Sequence, residues 1–288
     1  MIAPGGALDE ARLHAGVRVL EGWGFRVEVG GAALARQAYL AGEDEARRED
    51  LQRMIEDARV RAVFCARGGY GSQRIVPLLD LRRLVAQPKP IVGYSDATAL
   101  LNAAVRAGVM AVHGPMVAAD MARGLSQRSA DQLRTVLMDA AAVWEVEVPE
   151  TIRPGRAEGR LLGGCLSVIV TMLGTPWAPD TEGAILFLED VWERPYRLDR
   201  LLTQLRQAGK LDGLAGLVFG TLAACPPVDG VRPIDVVRAC CADLPCPIGF
   251  GLPAGHDPVG DNLALPLGVR VSLDTARGRL AALEPAVV

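Results

Sequence analysis

At 288 residues the chain can bury one large core or two ordinary ones. With 50% hydrophobic and 23% charged residues it has an ordinary globular composition, and a formal net charge of −3 excludes the basic excess of a nucleic-acid-binding surface. The most apolar run, 213–225, is too short and too broken by Gly and Thr for a membrane span. Asp9 and Glu10 also precede any long apolar run, so no signal peptide is expected and the protein is read as cytoplasmic.

Ile2 to Gly6 reads as the tail of a strand entering a glycine turn. Its apolar lead is short for a central strand, so a natural start upstream of Met1 is expected. Leu8 to Trp23 has helical spacing, Phe25 to Val29 alternates like a strand, and Leu51, Met54, Ile55 and Ala58 mark one face of a helix over 43–60. Ala62 to Cys65 is a short apolar strand running into Arg67-Gly68-Gly69-Tyr70-Gly71. Ile91-Val92 ends another strand, 97–107 is a helix, and Val109 to Val112 is a strand ending at His113-Gly114-Pro115. This alternation predicts a parallel sheet with helices on both faces and a ligand site beyond the carboxyl ends of the strands.

Composition shifts after Ala142. Beyond it come an alternating run at 144–149, a Pro154-Gly155 turn, and a Gly163-Gly164 pair leading into an apolar helix. A strand then ends on Glu189, and Leu198, Leu201, Leu202 and Leu205 trace a helix face. A strand at 216–220, a helix over 234–241, the loop Pro253-Ala254-Gly255-His256-Asp257 and a C-terminal hairpin follow. We therefore expect two domains, 1–143 with a parallel sheet and 144–288 of mixed α/β type, with the active site at their interface.

Gly93-Tyr94-Ser95-Asp96-Ala97 carries the chemistry most directly. A Gly-x-Ser-x-small turn between strand and helix lifts a serine hydroxyl to the sheet edge, although Ser95 and Asp96 are also ordinary helix caps. A serine nucleophile needs a base and an oxyanion hole. Of the three histidines, His14 fits a surface helix position. His113 ends a strand, and His256 lies in a Gly- and Pro-rich loop that can aim it into a cleft, so His256 is favoured as base over His113. Glu189, or the adjacent Asp190, would accept from the other ring nitrogen. The N–H of Asp96, and one from the Gly68-Gly69 turn, would hold an oxyanion. Six cysteines without a Cys-x-x-Cys pair read as reduced, mostly buried side chains, and Cys240, Cys241 and Cys246 lack zinc-ligand spacing. The run 69–74 ends in Arg where a dinucleotide fingerprint needs a small residue, and no P-loop is present.

These residues fall within runs that resemble one family throughout. Ala3-Pro4-Gly5-Gly6, Ala66 to Gly71, Gly93 to Thr98, His113 to Met116, Gly159 to Gly164, Phe187 to Asp190, Pro195-Tyr196-Arg197, and Gly255-His256 with Asn262, Pro266 and Gly268 occur in order across nearly the whole chain. The sequence thereby resembles the LD-carboxypeptidase family of serine peptidases, which includes the microcin C immunity peptidases. The resemblance implies a flavodoxin- or amidotransferase-like N-terminal domain and a Ser95, Glu189, His256 triad. It also implies an oxyanion hole from the N–H groups of Asp96 and Gly69, no metal or cofactor, and a homodimer.

The implied activity is release of terminal D-alanine from murein tetrapeptides. Cleavage of aminoacyl nucleotide analogues is the alternative, and a non-catalytic peptide or sugar binder on the same fold is a third. Arg67, Gly68 and His113 are expected at the substrate, with Arg67 for the terminal carboxylate. The chain departs from the family at Cys165, where many relatives have Asn. Its compactness leaves little room for an added substrate-gripping loop, which favours the murein branch.

Overall fold

The computed structural model describes residues 1–141, 143–257 and 260–287; Ala142, where the composition shifts, lies outside them. In chain order the first half carries α1 (Glu10–Gly22), α2 (Asp44–Glu56), β1 (Val63–Phe64), α3 (Ser72–Ile75), α4 (Leu81–Ala86), β2 (Ile91–Gly93), α5 (Thr98–Arg106), β3 (Ala111–His113) and α6 (Gln127–Met138). The second half carries β4 (Glu145–Glu147), β5 (Glu150–Arg153), β6 (Arg156–Cys165), α7 (Leu166–Met172), β7 (Ile185–Val191) and α8 (Pro195–Gln207). It continues with β8 (Gly216–Ala223), α9 (Pro233–Cys240), β9 (Ile248–Phe250), β10 (Leu265–Leu267), β11 (Arg270–Asp274) and β12 (Arg279–Ala282).

Among the described residues these strands form two sheets. The first runs β1-β2-β3-β10, parallel from β1 to β3, with β10 antiparallel to β3. Its strands are buried along their length, as expected where helices cover both faces. The second runs β4-β12-β11-β6-β7-β8-β9-β5, parallel from β6 to β9 and antiparallel on either flank. One apolar cluster spans both halves of the chain, and a second lies where Leu198, Leu202 and Leu205 of α8 and Val236 and Val237 of α9 pack onto β7 and β8. The expected α/β class is what the chain forms, but the first sheet is parallel only from β1 to β3 and is completed by an antiparallel strand from the second half, while the second sheet is mixed. No helix among the described residues is long and apolar enough to cross a membrane.

Several elements differ from expectation. The first strand is reduced to a single parallel bridge from Ile2 to Cys65. Phe25 and Val27 are half-buried between exposed Arg26 and Glu28, but Val29 is exposed and the run builds no ladder: among the described residues its backbone partner is Met1, which exchanges bonds with Glu28 and Gly30. Helix α2 ends at Glu56, leaving Ala58 exposed beyond it. Strand β10 was not legible as a member of the first sheet: a Leu-Pro-Leu triplet is too short to carry a period.

The halves meet where the start of α5 abuts the end of β6. Asn102 Nδ2 donates to the Gly163 carbonyl at 2.9 Å, and the Cys165 N–H donates to Thr98 Oγ1 at 3.1 Å. Gln73 and Thr171 exchange two further hydrogen bonds, each of 3.1 Å. Gly163 makes the close approach of β6 to β7 possible. Its φ is +128°, and a Cβ there would collide with the Phe187 carbonyl. Gly163→Ala is therefore expected to destabilise the fold by about 2–4 kcal/mol. Gly22→Ala, at an open position in α1, should be neutral. Calorimetry on the two variants checks the contrast.

Candidate active site

The carboxyl ends of β1, β2, β6, β7 and β9 converge. After β2, Tyr94 is extended and Ser95 turns into the left-handed region, with φ +60°, before a 3-10 turn leads into α5. A non-glycine residue held there costs on the order of 1–3 kcal/mol and persists only when its surroundings fix it. Those surroundings are the 67–72 loop. A Cβ on Gly68 would stand 2.8 Å from Ser95 Cβ, 2.9 Å from its Oγ and 3.4 Å from the Asp96 nitrogen, so only a glycine lets that backbone lie against the serine. The Asp96 side chain is buried and clamps the same loop, accepting from the N–H groups of Gly71 at 3.1 Å and Ser72 at 2.8 Å. Burial pushes the Asp96 carboxyl up, against those two bonds, which favour its charged form. Arg47, buried among α2, donates to the carbonyls of Pro4 and Gly71, tying the first glycine turn to the second.

Glu189 lies inside β7 and is wholly buried. Opposite it, β8 carries a bulge: Leu188 pairs with Phe219 but Asp190 pairs with Leu222, so Gly220 and Thr221 together face Glu189. The freed Thr221 binds the Ala254 carbonyl through its N–H at 3.0 Å, and this seats the 253–257 loop over Glu189. Gly255 has φ +118°, and a Cβ on it would lie 2.5 Å from Glu189 Oε2. The next residue delivers two groups to that oxygen, the His256 backbone N–H at 3.0 Å and its ring Nδ1 at 2.7 Å. Burial, the largest single influence, would lower the His256 pKa, but the charge and hydrogen bond of Glu189, joined by the charges of Asp190 and Asp120, raise it above the ordinary 6.5. Burial would likewise raise Glu189; His256 and then His113 hold it below its ordinary range instead.

The elbow and the His256 loop meet through Tyr94, whose ring lies edge-on to that of His256 with centroids 4.8 Å apart. The Tyr94 hydroxyl donates to Asp120 Oδ1 at 3.2 Å, and Asp120 Oδ2 accepts from the Met116 N–H at 2.9 Å within a π turn over Val117–Met121. Of the remaining expected residues, Arg67 is exposed and donates to the Ala7 carbonyl. His113 is wholly buried and offers no surface to a substrate; its Nε2 lies 3.6 Å from Glu189 Oε1. Asp190 does not serve His256, since its carboxylate caps α7 by accepting from the Ser167 N–H at 2.7 Å. Cys165 is a buried thiol, pushed well up by burial and then by Glu189 and Asp190, and packs 3.7 Å from Asp190 Oδ1. Tyr94 and Thr98 lie in the Gly93 to Thr98 run without a role of their own being legible there, and Asp120, Arg47 and Asn102 fall outside the expected site. Only Asn102 gave a signal, as a lone amide in an otherwise apolar helix.

Chemically, a serine on a strained turn with a glycine backbone packed against it, and a histidine oriented by a buried carboxylate, are parts that an acyl-transfer site uses. Residues 1–114 match the LD-carboxypeptidase N-terminal domain and residues 158–273 the LD-carboxypeptidase C-terminal domain, and the chain belongs to this family of serine-type hydrolases. It is 35% identical to the murein tetrapeptide carboxypeptidase of Pseudomonas aeruginosa over 97% of this chain and 94% of that protein. The crystal structure of muramoyltetrapeptide carboxypeptidase from Oxalobacter formigenes superposes with a TM-score of 0.87 at 32% identity, covering 97% of this chain and 96% of that one. The fold is also that of MccF in complex with glutamyl sulfamoyl guanosine, with a TM-score of 0.86 at 23% identity over 97% of this chain and 92% of that one.

Two outcomes are expected from this geometry. Gly68→Ala forces Ser95 to shift and should lower kcat/KM about 100-fold while the melting temperature barely moves. With His256 proposed as the base, which must be unprotonated to take a proton, its raised pKa should place the acidic fall of kcat/KM above pH 6.5. Glu189→Gln removes the partner that raises it. That limb should then move to lower pH, with kcat reduced by roughly 10³–10⁴. Pre-steady-state and pH–rate kinetics check both.

Proposed function

We propose that this protein is a serine carboxypeptidase that cleaves the L,D-peptide bond of murein tetrapeptides and releases the terminal D-alanine. The observation that carries the reading is the 2.7 Å bond from His256 Nδ1 to the buried Glu189, which fixes the tautomer that leaves Nε2 as the basic nitrogen. The resemblance of nearly the whole chain to a murein tetrapeptide carboxypeptidase supports the substrate class.

In the proposed mechanism His256 Nε2 accepts the Ser95 hydroxyl proton as Oγ attacks the carbonyl carbon that precedes the D-residue. The tetrahedral oxyanion is held by the N–H groups of Asp96 and Gly69. The C–N bond then breaks, His256 returns its proton to the leaving amine, and D-alanine departs. Water, deprotonated by His256, attacks the acyl-enzyme, and the proton taken passes back to Ser95. Arg67, at the rim, is assigned the terminal carboxylate, and Gly68 the close backbone wall beside it. The boundary of the two domains is put at 143/144, with β10 reaching back to complete the first sheet. The enzyme is read as a cytoplasmic homodimer acting on a small peptide, with no nucleic-acid or membrane partner.

Mass spectrometry of an L-Ala-D-Glu-diamino acid-D-Ala tetrapeptide incubated with the protein tests this directly. The wild type should lose one alanine, and Ser95→Ala, still folded, should lose none. An active-site serine reagent should label the wild type alone. Turnover of an aminoacyl sulfamoyl adenylate in place of the peptide would move the assignment to the immunity-type amidases. No turnover and no labelling would leave a binding protein.

A further inference from the structure

The arrangement described so far uses one oxygen of Glu189. Oε2 takes both groups of His256, whereas Oε1 has no hydrogen bond among the described residues, although the side chain is entirely out of water. Facing Oε1 at 3.6 Å is Nε2 of His113, at the carboxyl end of β3. The two ring nitrogens of His113 are likewise buried and without partners among the described residues. The ring stands edge-on to Phe187 with centroids 4.9 Å apart, and tilted against Tyr94 at 5.7 Å. A separation of 3.6 Å is beyond a good hydrogen bond, but a small rotation of the ring within this slot brings donor and acceptor into range. Such a move satisfies two buried orphaned atoms at once, and leaving them unmade is costly.

We propose that His113 is a positioning residue. Its Nε2–H donates to Glu189 Oε1 and fixes the plane of the carboxylate so that Oε2 stays aimed at His256. This rests on the reading of His256 as the base. His113 itself never touches substrate.

The consequence follows from charge. When His256 loses its proton, Glu189 remains as a buried anion that has lost its imidazolium partner. A donor on Oε1 then carries part of that charge. Without the donor the deprotonation becomes harder, and the pair titrates at higher pH. Other groups around His256 are Asp190 on β7 and Asp120 on the π turn, both of which raise its pKa, and beside Asp120 lies Arg123. Tyr94 and Cys165 are kept neutral by burial. None of these hydrogen-bonds Oε1 among the described residues.

His113→Phe fills the slot without a donor, and His113→Gln retains one. Two readouts are made on each full-length variant and on the wild type: kcat and KM against pH on the tetrapeptide, and the NMR titration of the His256 ring. Only three histidines need resolving. In the Phe variant kcat should fall about 10–100-fold at nearly constant KM, and the acidic limb and the His256 titration should both move up by ~0.5 pH unit or more. The Gln variant should recover most of each. Unchanged kinetics and titration in the Phe variant, whatever its melting temperature, would overturn the proposal. Equal impairment of both variants would overturn it too, in favour of packing. If the wild type cleaves no peptide, the functional reading fails, while the His256 titration still decides whether His113 acts on the pair.

Discussion

A carboxylate with no access to water must be neutralised and hydrogen-bonded by the protein around it, or it forces its surroundings to change. Glu189 is such a group, and much of the local architecture follows from it. The bulge in β8 opposite Glu189 exposes the Thr221 N–H, and that N–H pulls the Ala254 carbonyl and its loop across the sheet. Gly255 lets the backbone pass within contact of the carboxylate, and the next residue supplies a backbone and a ring donor to one oxygen. The ring orientation of His256 is thus determined by the burial of a charge one strand away. Desolvation is the largest single influence on His256, yet the charge and hydrogen bond of Glu189, with Asp190 and Asp120, together leave its pKa raised.

The serine is held by a comparable logic with opposite means. Its backbone is in a conformation that costs energy, and the opposing force is a set of clamps rather than a charge pair. Asp96 grips the loop at Gly71 and Ser72, Arg47 ties that loop to Pro4, and Gly68 lies against the Ser95 side chain. Strain of this kind is kept only where the surrounding fold over-determines it. A carboxylate and a guanidinium withdrawn from water beside two glycine turns are consistent with that requirement.

Much of this was legible from residue order. The Gly-x-Ser-x-Ala turn between an apolar strand and an apolar helix marks the elbow. An apolar strand running into an acid marks Glu189 as a candidate, although β7 continues two residues past it to Val191 rather than ending there, and a histidine after glycine in a Pro-rich loop marks His256. What needs three dimensions was not legible. His113, at a strand end, gave the same signal as a residue lining an open edge; its burial comes from Phe187 and Tyr94, which are remote in sequence from each other. Asp96 gave the signal of a helix cap, whereas its carboxylate serves a loop some 25 residues upstream. Phe25 to Val29 has strand alternation without a strand, since alternation reports which side is wet and not whether a hydrogen-bonding neighbour exists.

Strand β10 has an implication for how the molecule comes into being. It is drawn from the far end of the chain, residues 265–267, yet it pairs with β3 on the edge of the first sheet. The chain therefore leaves the first sheet, builds most of the second, returns to close the first, and departs again for the final hairpin. During synthesis, which proceeds from the amino end, the sheet that bears the serine keeps an open edge until nearly all of the polypeptide has emerged. The histidine that would activate the serine arrives in the same late segment. On the proposed reading the nucleophile is therefore made early and receives its base last, and the two halves are topologically interleaved rather than joined end to end.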